Sequence, residues 1–282
     1  MSVLYIVSTP IGNLGDVTHR ALDVLREANR VLAEDTRRTA ILLRHFGIET
    51  PLVSAHEHNE AARAAQVVDW LDAGETLALV SDAGTPILSD PGERIVRRVL
   101  DAGHSVVPVP GASALLAALV GSGLPAVPFT FYGFVPRARS ERDALFQELA
   151  ALPHTAVLYE SPARLQRLLR ELHSHCGAER AVAVARELTK LHETFVRGTL
   201  ADVAAYYEES GEPRGEVVVV LGGASPAEVT AQDVAELARR LLQAGGRPSA
   251  VAREVAQRTG MSRNDAYAIT LAQAAEQEEG TE

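Results

Sequence analysis

The chain is short of cysteine and of lysine. Cys176 is its single cysteine, which excludes an internal disulfide and a cysteine-built zinc site and fits a reducing, cytoplasmic setting. Lys190 is the one lysine among 27 Lys and Arg residues. An Arg- and Ala-rich coding bias accounts for that, yet it leaves Lys190 a position to watch. No run of about 18 apolar residues exists, so no membrane span is expected. The N-terminus enters a strand-like run with no basic stretch before it, so a signal peptide is not expected either. The formal net charge of −10 argues against nucleic-acid binding over the whole surface and leaves room for a local basic patch. Neither the dinucleotide fingerprint G-x-G-x-x-G nor a P-loop opens the chain.

What does open it is an apolar, β-rich run, Val3-Leu4-Tyr5-Ile6-Val7, followed by Ser8-Thr9-Pro10-Ile11-Gly12-Asn13-Leu14-Gly15-Asp16. A buried strand ending in Pro and two glycines reads as a ligand loop, because Gly lets a ligand approach the main chain closely. Strand candidates continue at residues 30–33, 52–54, 77–81 and 105–109. Helix candidates alternate with them at 18–27, 37–46, 59–73, 92–102 and 113–120. That alternation predicts a parallel, helix-covered sheet. Ligands of such sheets sit beyond the carboxyl ends of the strands. Three Gly/Pro-rich loops lie there, at 9–16, 82–91 and 108–113, and together they predict one site.

Pro125 and Pro128 suggest a linker. A second unit follows, with strands at 129–133, 155–160, 181–186 and 216–221, a further short one at 194–197, and helices at 142–149, 162–173 and 200–209. This order predicts a mixed sheet. From about residue 224 only helices are expected, at 231–244 and 248–275, with an acidic, disordered tail at 276–282. The domains are thus expected at 1–124, 125–223 and 224–282. The helix pair around Gly260 has the outline of a helix-turn-helix, although any small helical cap shares it. Six Arg against nine acids in that segment disfavour a DNA-reading function.

In the second loop, Asp82, Gly84 and Pro86 read as ligand-facing, with a carboxylate and exposed backbone amides. Asp90, before Pro91, reads as a helix cap. In the third loop, Ser113 reads as an N-cap, and the free amides beside it suit a carboxylate.

The loops Thr9-Pro10-Ile11-Gly12-Asn13-Leu14, Asp82-Ala83-Gly84-Thr85-Pro86 and Pro108-Val109-Pro110-Gly111-Ala112-Ser113-Ala114 resemble those of the tetrapyrrole-methylase type of S-adenosylmethionine-dependent methyltransferase. Glu34-Asp35-Thr36-Arg37, His56-Glu57-His58-Asn59-Glu60, Tyr159-Glu160-Ser161-Pro162 and Ala185-Arg186-Glu187-Leu188-Thr189-Lys190 narrow the likeness to the ribosomal RNA small subunit methyltransferase I family. The resemblance runs from about Val3 to Gly223. It implies two α/β domains with the methyl-donor cleft between them, the first on the acceptor and RNA side and the second completing the donor site. It implies 2′-O-methylation of a cytidine ribose in the decoding region of 16S rRNA, by a cytoplasmic homodimer with no metal. It assigns Pro10, Gly12, Asp82, Ala83, Gly84, Pro86, Ser113, Ala114, Tyr159, Arg186 and Leu188 to S-adenosylmethionine. One position departs from the family, whose usual aromatic before His-Glu-His-Asn is here Ala55. The alternatives are a same-fold methylase of a small molecule such as a tetrapyrrole and a ligand-sensing DNA-binding regulator.

Such a reaction needs positioning, desolvation and help with the acceptor proton. Glu34, Asp35, Glu187 and Lys190 are the candidates for that help, Lys190 if burial lowers its pKa, with a phosphate contact or a salt bridge to Glu193 as the plainer reading. Arg37 and Arg38 suit a phosphate grip. His56 and His58, on alternate residues of an extended segment, invite a metal reading, but no nearby residues complete a closed site. RNA contact by His56, His58 and Asn59 is the better functional expectation. The segment 135–142 is the best basic patch, with Arg137 and Arg139 as backbone contacts that weaken with salt. Its plainer reading is a solvated loop capped at Ser140.

Overall fold

A computed structural model describes residues 2–224 and 231–279. The chain divides into two compact units, Met1–Ala224 and Ser225–Glu282. The first unit holds two five-stranded sheets.

The first sheet consists of β1 (Val3–Val7), β2 (Arg30–Ala33), β3 (Leu52–Ser54), β4 (Leu77–Val80) and β5 (Ser105–Val109) in the order β3-β2-β4-β1-β5. Every pairing is parallel. β4 is buried at all four positions, Leu-Ala-Leu-Val, as a central strand covered on both faces must be. Helices α1 (His19–Glu27), α2 (Thr36–His45), α3 (Glu60–Asp72) and α4 (Glu93–Asp101) make the crossovers. Because all strands run the same way, the loops after β1, β2, β4 and β5 emerge at one edge.

The second sheet consists of β6 (Phe129–Phe134), β7 (Thr155–Glu160), β8 (Ala181–Arg186), β9 (Thr194–Thr199) and β10 (Val217–Leu221), in the order β6-β7-β10-β8-β9. Only β6 and β7 pair in parallel; the other three pairings are antiparallel. The sheet is mixed, and β9 is a full edge strand. Helices α6 (Arg139–Ala151), α7 (Pro162–Cys176) and α8 (Leu200–Ser210) cover one face and share a core with it.

Helix α5 (Ala114–Gly121) covers the other face and joins the sheets. Its sequence, ALLAALVG, is apolar all round. Leu115, Ala118 and Leu119 pack with Ile11 of the first loop and with Val157, Ala183, Leu188, Val218 and Val220. A helix with no polar face is stable only where it is covered on more than one side, and this one bridges the two halves of the unit.

In the second unit, α9 (Ala231–Gln243), α10 (Pro248–Thr259) and α11 (Arg263–Glu279) bury Val234, Ala238, Val251, Val255 and Ala266 together. Gly260 ends α10 in the left-handed conformation at φ 71, as a helix C-terminus favours. The tail expected to be disordered from 276 is helical through Glu279, and 280–282 lie outside the described residues. No described helix is long and apolar enough to cross a membrane.

Candidate active site

The three loops are fastened to one another. Thr9 N donates to Gly84 O at 2.8 Å, and Gly84 N donates to Thr9 O at 3.0 Å. Ser8 Oγ and Thr85 Oγ1 are 3.0 Å apart, and Thr85 Oγ1 also donates to Ala112 O at 3.2 Å. Gly84 sits at φ +81, where a side chain is disfavoured. Its N–H is committed to Thr9. The expected exposed amide at Gly84 is therefore absent; the glycine supplies the turn.

Next to these loops lies a cavity of about 450 Å³. The first sheet contributes Ile11, Glu34, Arg38, the stretch Asp82-Ala83-Gly84-Thr85, Leu88, Ser89, Asp90, Ser113 and Ala114 to its wall. The second contributes Phe134, Tyr159, Glu160, Ser161, Pro162, Glu216, Val217 and Val218. The cavity brings together eight of the residues singled out from the sequence: Glu34, Arg38, Asp82, Ala83, Gly84, Ser113, Ala114 and Tyr159. Ser113 caps α5 by accepting from Leu116 N at 3.4 Å. The Tyr159 hydroxyl accepts from Leu115 N at 3.1 Å, tying β7 to the first turn of α5.

The other singled-out residues lie outside the wall. Pro86 is buried. Leu188 belongs to the core between the sheets. Arg186 clamps its surroundings, donating to Thr194 Oγ1 and to the carbonyls of His192 and Arg214. Pro10 and Gly12 follow Thr9, and Gly12 lies against Lys190: a Cβ there would stand 2.5 Å from Lys190 Cγ.

Lys190 Nζ donates to Glu187 Oε1 at 2.8 Å and to Glu216 Oε2 at 3.1 Å. The anticipated salt bridge to Glu193 is not formed; Glu193 accepts from Thr189 N instead. Burial alone would lower the Lys190 pKa, but the hydrogen bonds and charges of Glu187 and Glu216 outweigh it and the net shift is upward. The two ion pairs thus favour the charged form of Lys190. Its hydrogen bond also holds the Glu187 carboxyl below the ordinary range.

Around Glu34 stand Asp82 and Asp35, with Arg38 as the one cation among the described residues that acts on it. Asp82 Oδ1 accepts from Asp35 N at 3.0 Å, and Oδ2 pairs with Arg38 at 3.3 Å. Burial, then the charge of Asp82, raises the Glu34 pKa. Asp35 behaves oppositely. It caps α2 by accepting from Arg37 N, and Arg37 also grips both its oxygens, at 3.0 and 2.7 Å. The Arg37 side-chain bonds first, then the backbone bond, hold Asp35 at about 2, which makes it the weaker base of the pair.

Asp90 is the residue that sequence reasoning missed. It lines the cavity, and burial, followed by the charge of Glu34, pushes its pKa up to about 6 despite a hydrogen bond with Ser81. It does not cap α4. That role falls to Glu60, 6% exposed, whose Oε1 accepts from Gly92 N at 3.0 Å and Arg94 N at 2.8 Å. No local pattern carries this, because the capping carboxylate comes from another helix. The loop is also strained. Among the described residues four non-glycines have positive φ: Ile87, Ser89, Glu187 and Thr189. Two flank Leu88 beside the cavity and two flank Leu188. A β-branched residue such as Ile87 at φ 78 is rare, and such strain collects where a site needs a fixed geometry.

His56 and His58 stand edge to face, 5.9 Å between centroids. Asn59 shapes their loop, accepting from His56 N at 2.9 Å and donating to Ser54. Among the described residues no group of three potential metal ligands exists. Ala55 is 2% exposed and part of the core under α3, so that position faces inward. Arg137 and Arg139 are exposed. Arg142, counted in the same basic segment, is not: it is 2% exposed and ion-paired with Glu171 and, at 3.8 Å, with Glu160. Ser140 does not cap α6, which begins after Ala138 with no side-chain cap.

The family described as tetrapyrrole (corrin/porphyrin) methylases matches residues 3–204. The ribosomal RNA small subunit methyltransferase I of Synechocystis sp. (strain ATCC 27184 / PCC 6803 / Kazusa) is 44% identical over 274 residues, 96% of this chain and 98% of the relative. The protein of that name from Bacillus subtilis (strain 168) is 45% identical over 233 residues, 83% and 79% of the two chains. Among solved structures, uroporphyrin-III C-methyl transferase from Thermus thermophilus complexed with S-adenyl homocysteine superposes with a TM-score of 0.55 at 21% identity, covering 79% of this chain and 97% of that one. Diphthine synthase does so with 0.61 at 14% identity, covering 79% and 90%. These two likenesses concern the fold.

Proposed function

The chain belongs to the tetrapyrrole (corrin/porphyrin) methylases and within them to the ribosomal RNA small subunit methyltransferase I family, and from that membership we propose that it 2′-O-methylates a cytidine ribose in the decoding region of 16S rRNA. The observation that carries the reading is the cavity shared by the two sheets, with a carboxylate-rich wall beside a capped helix N-terminus.

The residues present fit S-adenosylmethionine. Its sulfonium and ammonium groups are cationic, and Glu34, Asp82 and Asp90 face the space. Its carboxylate suits the Ala114 amide at the positive end of α5, where the Leu115 and Leu116 amides already donate to Tyr159 and Ser113. The volume, about 450 Å³, is ample for a molecule of that size. Bound there, the donor supplies a methyl group already activated on a sulfonium. The chain itself binds, orients and keeps water out, and Phe134, exposed at the cavity, and Tyr159 present apolar faces for the last of these.

The acceptor reaches the cavity past Arg38, and the exposed cations Arg37, Arg137 and Arg139, with His56 and His58, are the RNA contacts of this reading. On a chain of net charge −10 such contacts are local and salt-sensitive. Residues 1–124 then form the acceptor side and 125–223 complete the donor site. Assembly as a homodimer in the cytoplasm belongs to the same reading, and the exposed Leu116 and Val120 on the outer side of α5 suit a partner copy.

The test is transfer of labelled methyl groups to small-subunit RNA, with mass mapping of 2′-O-methyl nucleotides. A labelled cytidine ribose is the expected result. Label on a free tetrapyrrole and none on RNA would overturn the reading.

A further inference from the structure

Most charges on the cavity wall are paired. Asp82 meets Arg38, Glu216 meets Lys190, and Glu160 is held by Arg164 at 2.5 Å and Arg142 at 3.8 Å. Glu34 and Asp90 have no ion-pair partner among the described residues; Arg38 reaches Glu34 only through its longer-range charge. The two carboxylates repel each other, and Asp82 adds to the repulsion on both. Asp35, at the start of α2, adds a smaller one on Glu34. From the second sheet, Tyr159 stands near enough to feel the charge of Asp90. The loop that carries Asp90 is held by left-handed Ile87 and Ser89 on one side and by the grip of Glu60 on Gly92 and Arg94 on the other.

We propose that Glu34 and Asp90 act as a pair that accepts the proton released in methyl transfer, with Asp90 as the residue that takes it. The inference rests on the reading of this cavity as the methyl-donor site. A neutral hydroxyl that gains a methyl group must lose its proton. An acceptor oxygen lone pair forms the new O–C bond, the C–S bond breaks with its electrons going to sulfur, and the O–H proton passes to a carboxylate oxygen of Asp90. One positive charge leaves the sulfur and one arrives as the proton, so the charge in the cavity is unchanged. A cation in the cavity keeps both carboxylates ionised, which makes Asp90 a base. Once the sulfur is neutral, the repulsion among Glu34, Asp82 and Asp90 is no longer offset, which favours the protonated form of Asp90 until the proton passes to solvent. The same pair thereby distinguishes the cationic donor from its neutral product.

The test counts protons on the intact protein. Calorimetric titrations near pH 6 in buffers of differing ionisation enthalpy are expected to show release of roughly half a proton when S-adenosylmethionine binds the wild type, because about half of Asp90 is then protonated. S-adenosylhomocysteine, which keeps the ammonium and lacks the sulfonium charge, is expected to release clearly less. Asp90→Asn is expected to abolish the difference and to slow single-turnover transfer by about 10²–10⁴-fold, with S-adenosylhomocysteine affinity within about threefold of wild type, a window that RT ln 3 makes small. Glu34→Gln should reduce the proton release in the same direction. Equal proton release with both ligands in the wild type would overturn the proposal with no variant needed. So would Asp90→Asn that methylates the same ribose at the wild-type rate. If the methyl group proves to land elsewhere on the RNA while the proton counts stand, the acceptor assignment fails and the proton assignment survives.

Discussion

Replacing Asp90 by Asn should make the protein without its methyl donor more stable above pH 6. A carboxyl moved from 3.8 to about 6 by folding is worth about 3 kcal/mol of differential interaction. The sign follows from proton binding. Between those two values the folded chain holds a proton at Asp90 that the unfolded chain has released, so stability falls as pH rises through this window and stays lower above it. Below about 4 the effect is gone, because both states are protonated there. Asn is never charged, and its carbonyl keeps an acceptor for Ser81. The gain at pH 8 is therefore up to about 3 kcal/mol, a ceiling because Asp90 is only partly buried. For a unit of this size that raises Tm by up to roughly 6–12 °C. Thermal unfolding from pH 4.5 to 8, without donor, reads it directly. The variant curve should diverge from wild type as pH rises and converge as it falls. Parallel curves, or a variant less stable at pH 8 than at pH 5 relative to wild type, would refute the account of Asp90. A site that holds uncompensated charge for its ligand commonly lowers stability in this manner.

Other outcomes follow from the same geometry. Gly12→Ala places a methyl group 2.5 Å from Lys190 Cγ; with no left-handed strain at Gly12, the fold should persist while Lys190 leaves its two carboxylates, a loss of about 0.5–1 kcal/mol in urea unfolding. Glu160→Ala removes a fully buried partner of Arg142 and Arg164 and should cost about 3–5 kcal/mol in urea unfolding; a loss under 1 kcal/mol would contradict the buried network. Gly84→Val combines φ +81 with a Cβ 3.2 Å from Ile11 Cγ2, so donor affinity and about 1–3 kcal/mol of stability should be lost together; unchanged donor affinity would remove this loop from the site. Paired substitution of Arg137 and Arg139 by Ala should weaken RNA binding and flatten its salt dependence by about two in the log–log slope, with donor binding intact.

Much of the architecture was readable along the chain. Leu77–Val80 and Val217–Leu221 are short, wholly apolar runs, and both are central, doubly covered strands. The alternation of such runs with amphipathic helices places every strand of the first sheet, and the Gly/Pro loops after them meet at one edge. Glu34 and Asp82 were readable because each lies within two residues of the end of a strand on that edge, and Ser113 because it caps the helix that follows β5; Tyr159, on β7, was reached only through the family resemblance. Gly260 marked its helix end for the same local reason, a φ that few residues adopt.

The sequence by itself determined the elements, the edge at which the loops collect, and the family to which they belong, since each depends on periodicity and residue type over a few neighbours. Only the tertiary structure decided what the charges do. Arg142 stands in a basic, seemingly solvated segment, yet it is buried against Glu160 and Glu171. Lys190 finds Glu216 from 26 residues away and not its neighbour Glu193. Glu60 caps a helix that starts more than 30 residues later, which frees Asp90 for the cavity. Electrostatic energy depends on distance through space and on burial, and the order of residues along a chain encodes neither until the two sheets have closed around α5.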